Sequence, residues 1–198
     1  MLKHNMKNQP RAYQPLNHVA LLVPSVKKTA SVLERHRFSI GPAEEWEGEG
    51  TMEIYVGDGD SQSALLLLMQ PLKEGPYARA MQKRGPGLHH FAIDVMNLES
   101  FIDELSGSGW YLHPRSLWTI KNSQTAYLAR PGTPMLMEVK QREEVKNKPG
   151  FVQKIEMPLT NRDVGMLEAL GISDVIPSPS ENSWIYFNGV RLNIKELY

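Results

Sequence analysis

LNHVALLVPSV (residues 16–26) and GLHHFAIDV (residues 87–95) decide the fold, because the second stretch repeats the first with its histidine 72 positions further on. Each is a nearly continuous apolar run, the pattern of a strand buried on both faces. Setting His18 over His90 lays Val19-Ala20-Leu21 over Phe91-Ala92-Ile93 and Phe38 over Trp110; at the far end Leu67 lies 71 positions before Glu138. Working outward, Pro24-Ser25 stops the first run, and Val26, Ala30 and Leu33 recur at helical spacing over about 26–36. A short extended piece ends at Gly41-Pro42, and the polar stretch AEEWEGEG (43–50) reads as flexible. TMEIYV (51–56), the turn GDGDS (57–61) and SALLLLMQ (63–70) complete a β-α-β-β-β order.

The second segment repeats that order. A helix over 98–105 carries Leu98, Phe101, Ile102 and Leu105 on one side and ends at Gly107 and Gly109. Strands follow at 110–112 and 124–129, and RPGTP turns the chain into PMLMEVKQ (134–141). Repetition at a fixed period marks paired units, neither of which covers its apolar face alone. The prediction is therefore an α+β chain of two βαβββ modules, 16–71 and 88–141, joined by a linker over 72–87. Residues 1–15 read as a flexible polar tail and 142–150 as a charged linker. Residues 151–198 begin a third, partial βαββ unit. That unit has no histidine at its first strand, so its predicted role is packing or a dimer contact.

Composition narrows the chemistry. The chain has 198 residues, with 22 Lys+Arg against 22 Asp+Glu and no cysteine. Zero net charge argues against binding nucleic acid, whose phosphates call for many cationic contacts. Without cysteine there are no disulfides, thiolate nucleophiles, zinc fingers or iron–sulfur clusters, so a metal would need His, Asp, Glu, amides or water. The amino end shows no secretory signal and no window reaches eighteen apolar residues, so the expectation is a cytoplasmic protein without a membrane span. Charge is uneven: residues 16–71 are net negative by four, whereas 72–87 carry Lys73, Arg79, Lys83 and Arg84 against Glu74 alone. That basic segment is either a solvated helix face or a lip for an anionic ligand.

His18 and His90 occupy equivalent positions in repeated strands, and Glu138 lies in the apolar run MLMEV, where a carboxylate needs a partner or a cation. Equivalent strand positions of paired modules can converge, and two imidazoles with one carboxylate suit a first-row metal with open positions. On spacing alone the alternative stands equally: two satisfied core histidines and a glutamate facing solvent.

LNHVALLVPSV, GPYARAMQKRGPGLHHFAIDV and PMLMEVKQ together resemble the vicinal oxygen chelate superfamily, which includes glyoxalase I, methylmalonyl-CoA epimerase, extradiol dioxygenases and bleomycin-binding proteins. The resemblance covers about residues 16–142 and is strongest to epimerase-like members, through the linker and the paired histidines. It implies a cupped mixed β-sheet around one divalent ion (cobalt, zinc, nickel, manganese or iron) held by His18, His90 and Glu138. Glu138 would double as acid or base, and His89 should point across the pleat. It also implies a soluble homodimer acting on a small molecule, an acyl-CoA or a 2-oxo compound. The family's fourth ligand, Gln or Glu, falls here on Leu67; Gln70, three residues on, has the wrong strand parity unless a bulge moves it.

The leading reading is a metal-dependent isomerase or lyase of the glyoxalase or methylmalonyl-CoA epimerase type, working by proton abstraction beside a chelated carbonyl. Among Glu44, Glu45, Glu47 and Glu49, Glu45 is chosen by position as the second carboxylate. Leu67, Tyr127, Lys83 and Arg84 are the expected substrate contacts. Leu67 also opens a second reading, a non-heme iron extradiol dioxygenase with a His-His-Glu triad and Tyr127 beside it, for which His113 is a poor acid/base candidate. A third is a binding member without catalysis, its cleft lined by Trp46, Tyr55, Trp110 and Trp118.

Overall fold

The structure, a computed structural model, describes residues 11–58, 64–133, 135–145 and 150–198. Module one runs β1 (Leu16–Leu22), α1 (Val26–Glu34), β2 (Ser39–Ile40), β3 (Glu44–Trp46), β4 (Thr51–Gly57) and β5 (Leu65–Pro71). The linker holds α2 (Pro76–Arg84). Module two runs β6 (Gly87–Val95), α3 (Leu98–Asp103), β7 (Tyr111–Leu112), α4 (Ser116–Ser123), β8 (Thr125–Ala129) and β9 (Leu136–Gln141). The acidic stretch read as a flexible loop supplies β3, and β2 and β3 pair with successive parts of β4. They are one edge strand broken at Gly41, where an added Cβ would stand 2.9 Å from the Tyr55 carbonyl oxygen. Part of the predicted GDGDS turn lies outside the described residues.

The repeat extends to single hydrogen bonds. The Gln70 side chain, at the end of β5, accepts from the Val26 N–H that opens α1; Gln141, at the end of β9, accepts from the Leu98 N–H that opens α3. Each glutamine satisfies a donor that has no partner within the helix. Gln70 is thus a helix cap, and its equivalence to Gln141 accounts for its place outside the ligand position.

The nine-stranded sheet has the order β2-β4-β5-β1-β6-β9-β8-β7, with β3 beside β4. β1 and β6 join the modules in antiparallel fashion, and each pairs in parallel with the last strand of its own module. Strand alternation then sorts the side chains. Val19, Leu21, Leu66, Leu68, Phe91, Ile93, Met137 and Val139 face the main core with Leu33 and Phe101 of the helices. Ala20, Leu22, Leu67 and Met69 face the other way, under Tyr77, Ala80 and Met81 of α2. This second face is the inside of the cup.

The third unit is β10 (Lys154–Met157), α5 (Asn161–Glu168), β11 (Val175–Pro177), β12 (Trp184–Phe187) and β13 (Val190–Asn193), closed by a 3₁₀ turn at Ile194–Glu196. Its order, β11-β10-β12-β13, departs from the module pattern: the first strand pairs with the strand after its helix, not with the last. It is a parallel βαβ unit carrying a hairpin. Phe38 meets Phe151 edge-on and Phe187 at a tilt, both at a centroid distance of 4.9 Å, and Trp110 donates its indole N–H to Met166 O at 2.9 Å, so the unit shares the main core. Residues 11–15 belong to the expected polar tail, yet they are tied down: Gln14 N–H donates to Gly171 O, Tyr13 to Asp174, and Arg11 pairs with Glu104. Residues 1–10 lie outside the described part.

Candidate metal centre

The inner face of β1 and β6 carries the same three-residue signature, His-x-Ala, as His18-Val-Ala20 and His90-Phe-Ala92. In the antiparallel register His18 stands opposite Ala92 and His90 opposite Ala20, so each imidazole faces a methyl group and the two rings meet diagonally. On its other side Ala92 pairs with Glu138. The Nε2 atoms of His18 and His90 are 3.0 Å apart, and Glu138 Oε2 lies 3.4 Å from the first and 3.6 Å from the second. All three residues are buried, and among the described residues they form the one cluster able to hold a metal ion.

These donors suit a divalent ion. Neighbouring donors about 2.0–2.1 Å from a metal in octahedral or tetrahedral array stand about 2.8–3.4 Å apart, close to the 3.0, 3.4 and 3.6 Å found. Their protonation also fits. Burial pulls both imidazoles below their ordinary pKa, His90 further because the His18 ring lies against it. Burial pushes the Glu138 carboxyl up, but the adjacent histidines, His18 foremost, and the charge of Lys140 outweigh it and hold the carboxyl well below the usual range. Neutral imidazoles beside an ionised carboxylate are what metal ligation requires.

Neighbouring groups orient the ligands. Asn17 Oδ1 lies 2.8 Å from His18 Nδ1, and Asn17 Nδ2 donates to both Asp94 oxygens at 3.1 Å. With the amide nitrogen committed to Asp94, its oxygen accepts from Nδ1–H, and the Nε2 lone pair of His18 is left facing the cluster. His89, expected across the pleat, instead sets its Nδ1 2.9 Å from His90 Nδ1. The pairing skips from Ala20↔His90 to Leu21↔Leu88, and this irregularity leaves His89 unpaired and turned beside its neighbour. Tyr127 donates to Glu138 Oε1 at 3.3 Å, and Lys140 Nζ lies 3.4 Å from the same oxygen.

Leu67 takes the place in module one that Glu138 takes in module two; it pairs with Tyr55 as Glu138 pairs with Tyr127, and it is buried beneath α2. Glu45 is exposed on β3. The module-one carboxyl inside the cup is Glu53, buried on β4, with Oε1 accepting from Thr51 Oγ1 at 2.8 Å. Burial raises its pKa, aided by the charges of Glu49 and Glu138. Lys83 is exposed at the end of α2, and Arg84 lines a cavity shared with the third unit. Glu49 accepts from Tyr77 and pairs with Arg115, so it ties α2 to the start of α4. His113 stays outside the cluster. Two cues in the sequence could have pointed to this surrounding shell: the asparagine directly before His18, and the alternation Thr51-x-Glu53-x-Tyr55.

A profile of the Glyoxalase/Bleomycin resistance protein/Dioxygenase superfamily matches residues 17–126. A hypothetical protein from Bacillus halodurans C-125 has a similar structure, with TM-score 0.55 and 25% identity over 68% of this chain and 99% of its own. Methylmalonyl-CoA epimerase from Mycobacterium tuberculosis gives TM-score 0.55 and 23% identity over 70% of this chain and 96% of its own. A Streptomyces coelicolor methylmalonyl-CoA epimerase in complex with 2-nitronate-propionyl-CoA gives TM-score 0.52 and 16% identity over 66% and 100%. With the two epimerases the likeness is one of fold. No curated protein matches the sequence.

Proposed function

Because the chain belongs to the Glyoxalase/Bleomycin resistance protein/Dioxygenase superfamily, we propose that it is a metal-dependent isomerase or lyase that moves a proton on the carbon beside a substrate carbonyl. One observation carries this reading: Nε2 of His18, Nε2 of His90 and Oε2 of Glu138, drawn from both modules, converge in a buried site. A divalent ion held there supplies Lewis-acid polarisation of a carbonyl oxygen. The chain's own groups do the rest. Glu138 is strongly acidic and so contributes charge and a donor oxygen, and makes a poor proton carrier. Glu53 has the opposite bias, and two carboxyls pushed apart in this way divide the roles of charge and proton transfer. Thr51 holds Glu53 Oε1, which leaves Oε2 to take and return the proton. Glu53 therefore replaces Glu45 in the role of second carboxylate.

The substrate class we favour is a small carboxylic thioester, as in the epimerases that share the fold, or a 2-oxo compound. The test is exchange at C2 of methylmalonyl-CoA in heavy water, followed by NMR with the cobalt-loaded protein. Exchange should occur, and Glu53→Gln should slow it by about 10²–10⁴-fold with metal content unchanged. Absence of exchange with thioester and 2-oxo probes alike would refute the proposal.

A second reading, the non-heme iron extradiol dioxygenase, draws on two features: the two-histidine, one-carboxylate set with Leu67 at the fourth position, and the Tyr127 hydroxyl on Glu138. It predicts oxygen uptake by the iron-loaded protein with a catechol and no C2 exchange.

A further inference from the structure

An ion pair joins the two modules across the cup. Glu49, in the turn between β3 and β4, accepts from both terminal nitrogens of Arg115, the residue before α4, and from the Tyr77 hydroxyl of α2 at 2.7 Å. The Arg115 guanidinium stands 5.5 Å from the centre of the Tyr127 ring, whose hydroxyl donates to Glu138. On the other flank Tyr77 packs on the inner-face cluster that includes Leu67 and against the His89 ring. The charge of Glu49 is also felt at Glu53, so the pair lies within electrostatic reach of both carboxyls of the site. Of the acids in this stretch, Glu44, Glu45 and Glu47 are exposed, and Glu49 alone turns inward.

We infer that Arg115 and Tyr77 form the receptor for a carboxylate carried by the substrate, and that Glu49 fills this receptor until the substrate's carboxylate displaces it. The inference rests on the reaction proposed above and narrows its substrate to an acid, with a carboxylate in addition to the carbonyl that undergoes chemistry. A two-pronged guanidinium with a hydroxyl beside it is a donor set that matches a carboxylate, and the chain fills it with one of its own. An uncharged ligand cannot take that place without leaving the guanidinium unpaired. Release of Glu49 is local. Its turn is Glu47-Gly48-Glu49-Gly50, with open space beside Gly48, β3 is exposed throughout, and α2 has no buried residue. Some such exchange is needed, because His18, His90 and Glu138 are only 1%, 7% and 7% exposed while Glu49 holds α2 to the start of α4.

The test is calorimetry of the cobalt-loaded full chain with two ligand pairs whose members differ by one carboxylate: methylmalonyl-CoA against propionyl-CoA, and 2-oxoglutarate against 2-oxopentanoate. Wild type should prefer the carboxylated member of at least one pair, and Arg115→Met should cut that preference by about 10–100-fold with cobalt content unchanged. Tyr77→Phe should cut it several-fold. Glu49→Ala should act in the opposite direction: freed of its internal competitor, the receptor should bind the carboxylated member about tenfold more tightly and its partner no better. Should Arg115→Met fail to fold, Arg115→Lys, which keeps the charge and loses the fork, should still reduce the preference. Equal binding within both pairs would overturn the inference. So would weaker binding of the carboxylated member by Glu49→Ala, or a preference that survives the Arg115 variants and falls with Lys140→Met, which would give the carboxylate to Lys140. Because binding is read and not turnover, the two proposals fail separately. Exchange at C2 with no carboxylate preference refutes the receptor alone, whereas an Arg115-dependent preference without exchange upholds the receptor and refutes the reaction.

Discussion

His18 and His90 are held by different neighbours, and the difference can be measured. The outer nitrogen of His18 rests on the Asn17 amide, itself fixed by Asp94, whereas that of His90 meets His89. Asn17→Ala should lower divalent-metal affinity by about 10–100-fold, read by competition with a chelating dye, while far-UV circular dichroism stays the same. Leu67→Gln places a polar group beneath α2, at a cost of about 1–3 kcal/mol in the metal-free protein. If the new oxygen reaches the ion, zinc or cobalt should restore that loss and bind more tightly than to wild type. Acid acts in a calculable direction. The depressed imidazoles bind fewer protons folded than unfolded, so stability should fall as pH drops below about 6.5, the ordinary histidine value; His89, pushed down to about 4, spans the window from there to 6.5. Glu138 is depressed too and adds a separate loss that begins only below about 4.3. Urea midpoints between pH 8 and pH 5 check the slope. The ligand residues were legible because equivalent strand positions can be aligned along the chain. The Asn17–Asp94 bond, the turn of His89 and the burial of Glu53 were not, since each depends on which residue lies across the sheet.

Among the elements, the caps of α1 and α3 are the most direct consequence of the repeat. Gln70→Ala and Gln141→Ala should each cost about 0.5–1.5 kcal/mol by urea denaturation, with nearly equal losses because they remove equivalent bonds. The β-strands were readable from apolar runs and the first helices from 3.6-residue spacing. α4 was not, because its largest apolar side chains, Leu117 and Trp118, are 82% and 65% exposed and leave no inward stripe to recognise. β3 escaped for a similar reason: all three of its residues are exposed, and pairing with β4 alone makes it a strand. The third unit shows the limit of counting elements. Its strand–helix opening resembles a module, yet β10 pairs with β11 and β12, an arrangement set by contacts far apart in sequence.

At the scale of the molecule, the two-module sheet and the third unit share one core, and the cup on the opposite face is left to α2 and the metal centre. Removing residues 151–198 would bare Phe38, Trp110 and their neighbours, so the truncated chain should aggregate. The homodimer suggested by the family resemblance has exposed apolar side chains available on β7 and α4, namely Tyr111, Leu112, Leu117 and Trp118. Sedimentation of wild type against Trp118→Glu would check that surface. The central claim is that one divalent ion joins the two modules through His18, His90 and Glu138. Its most direct test is anomalous diffraction at the absorption edge of the metal carried by protein loaded with cobalt or zinc. A single peak bounded by His18 Nε2, His90 Nε2 and Glu138 Oε2, absent from the His90→Ala protein, is the predicted result. A metal-free map after loading, or a peak bound elsewhere and unaffected by His90→Ala, would contradict it.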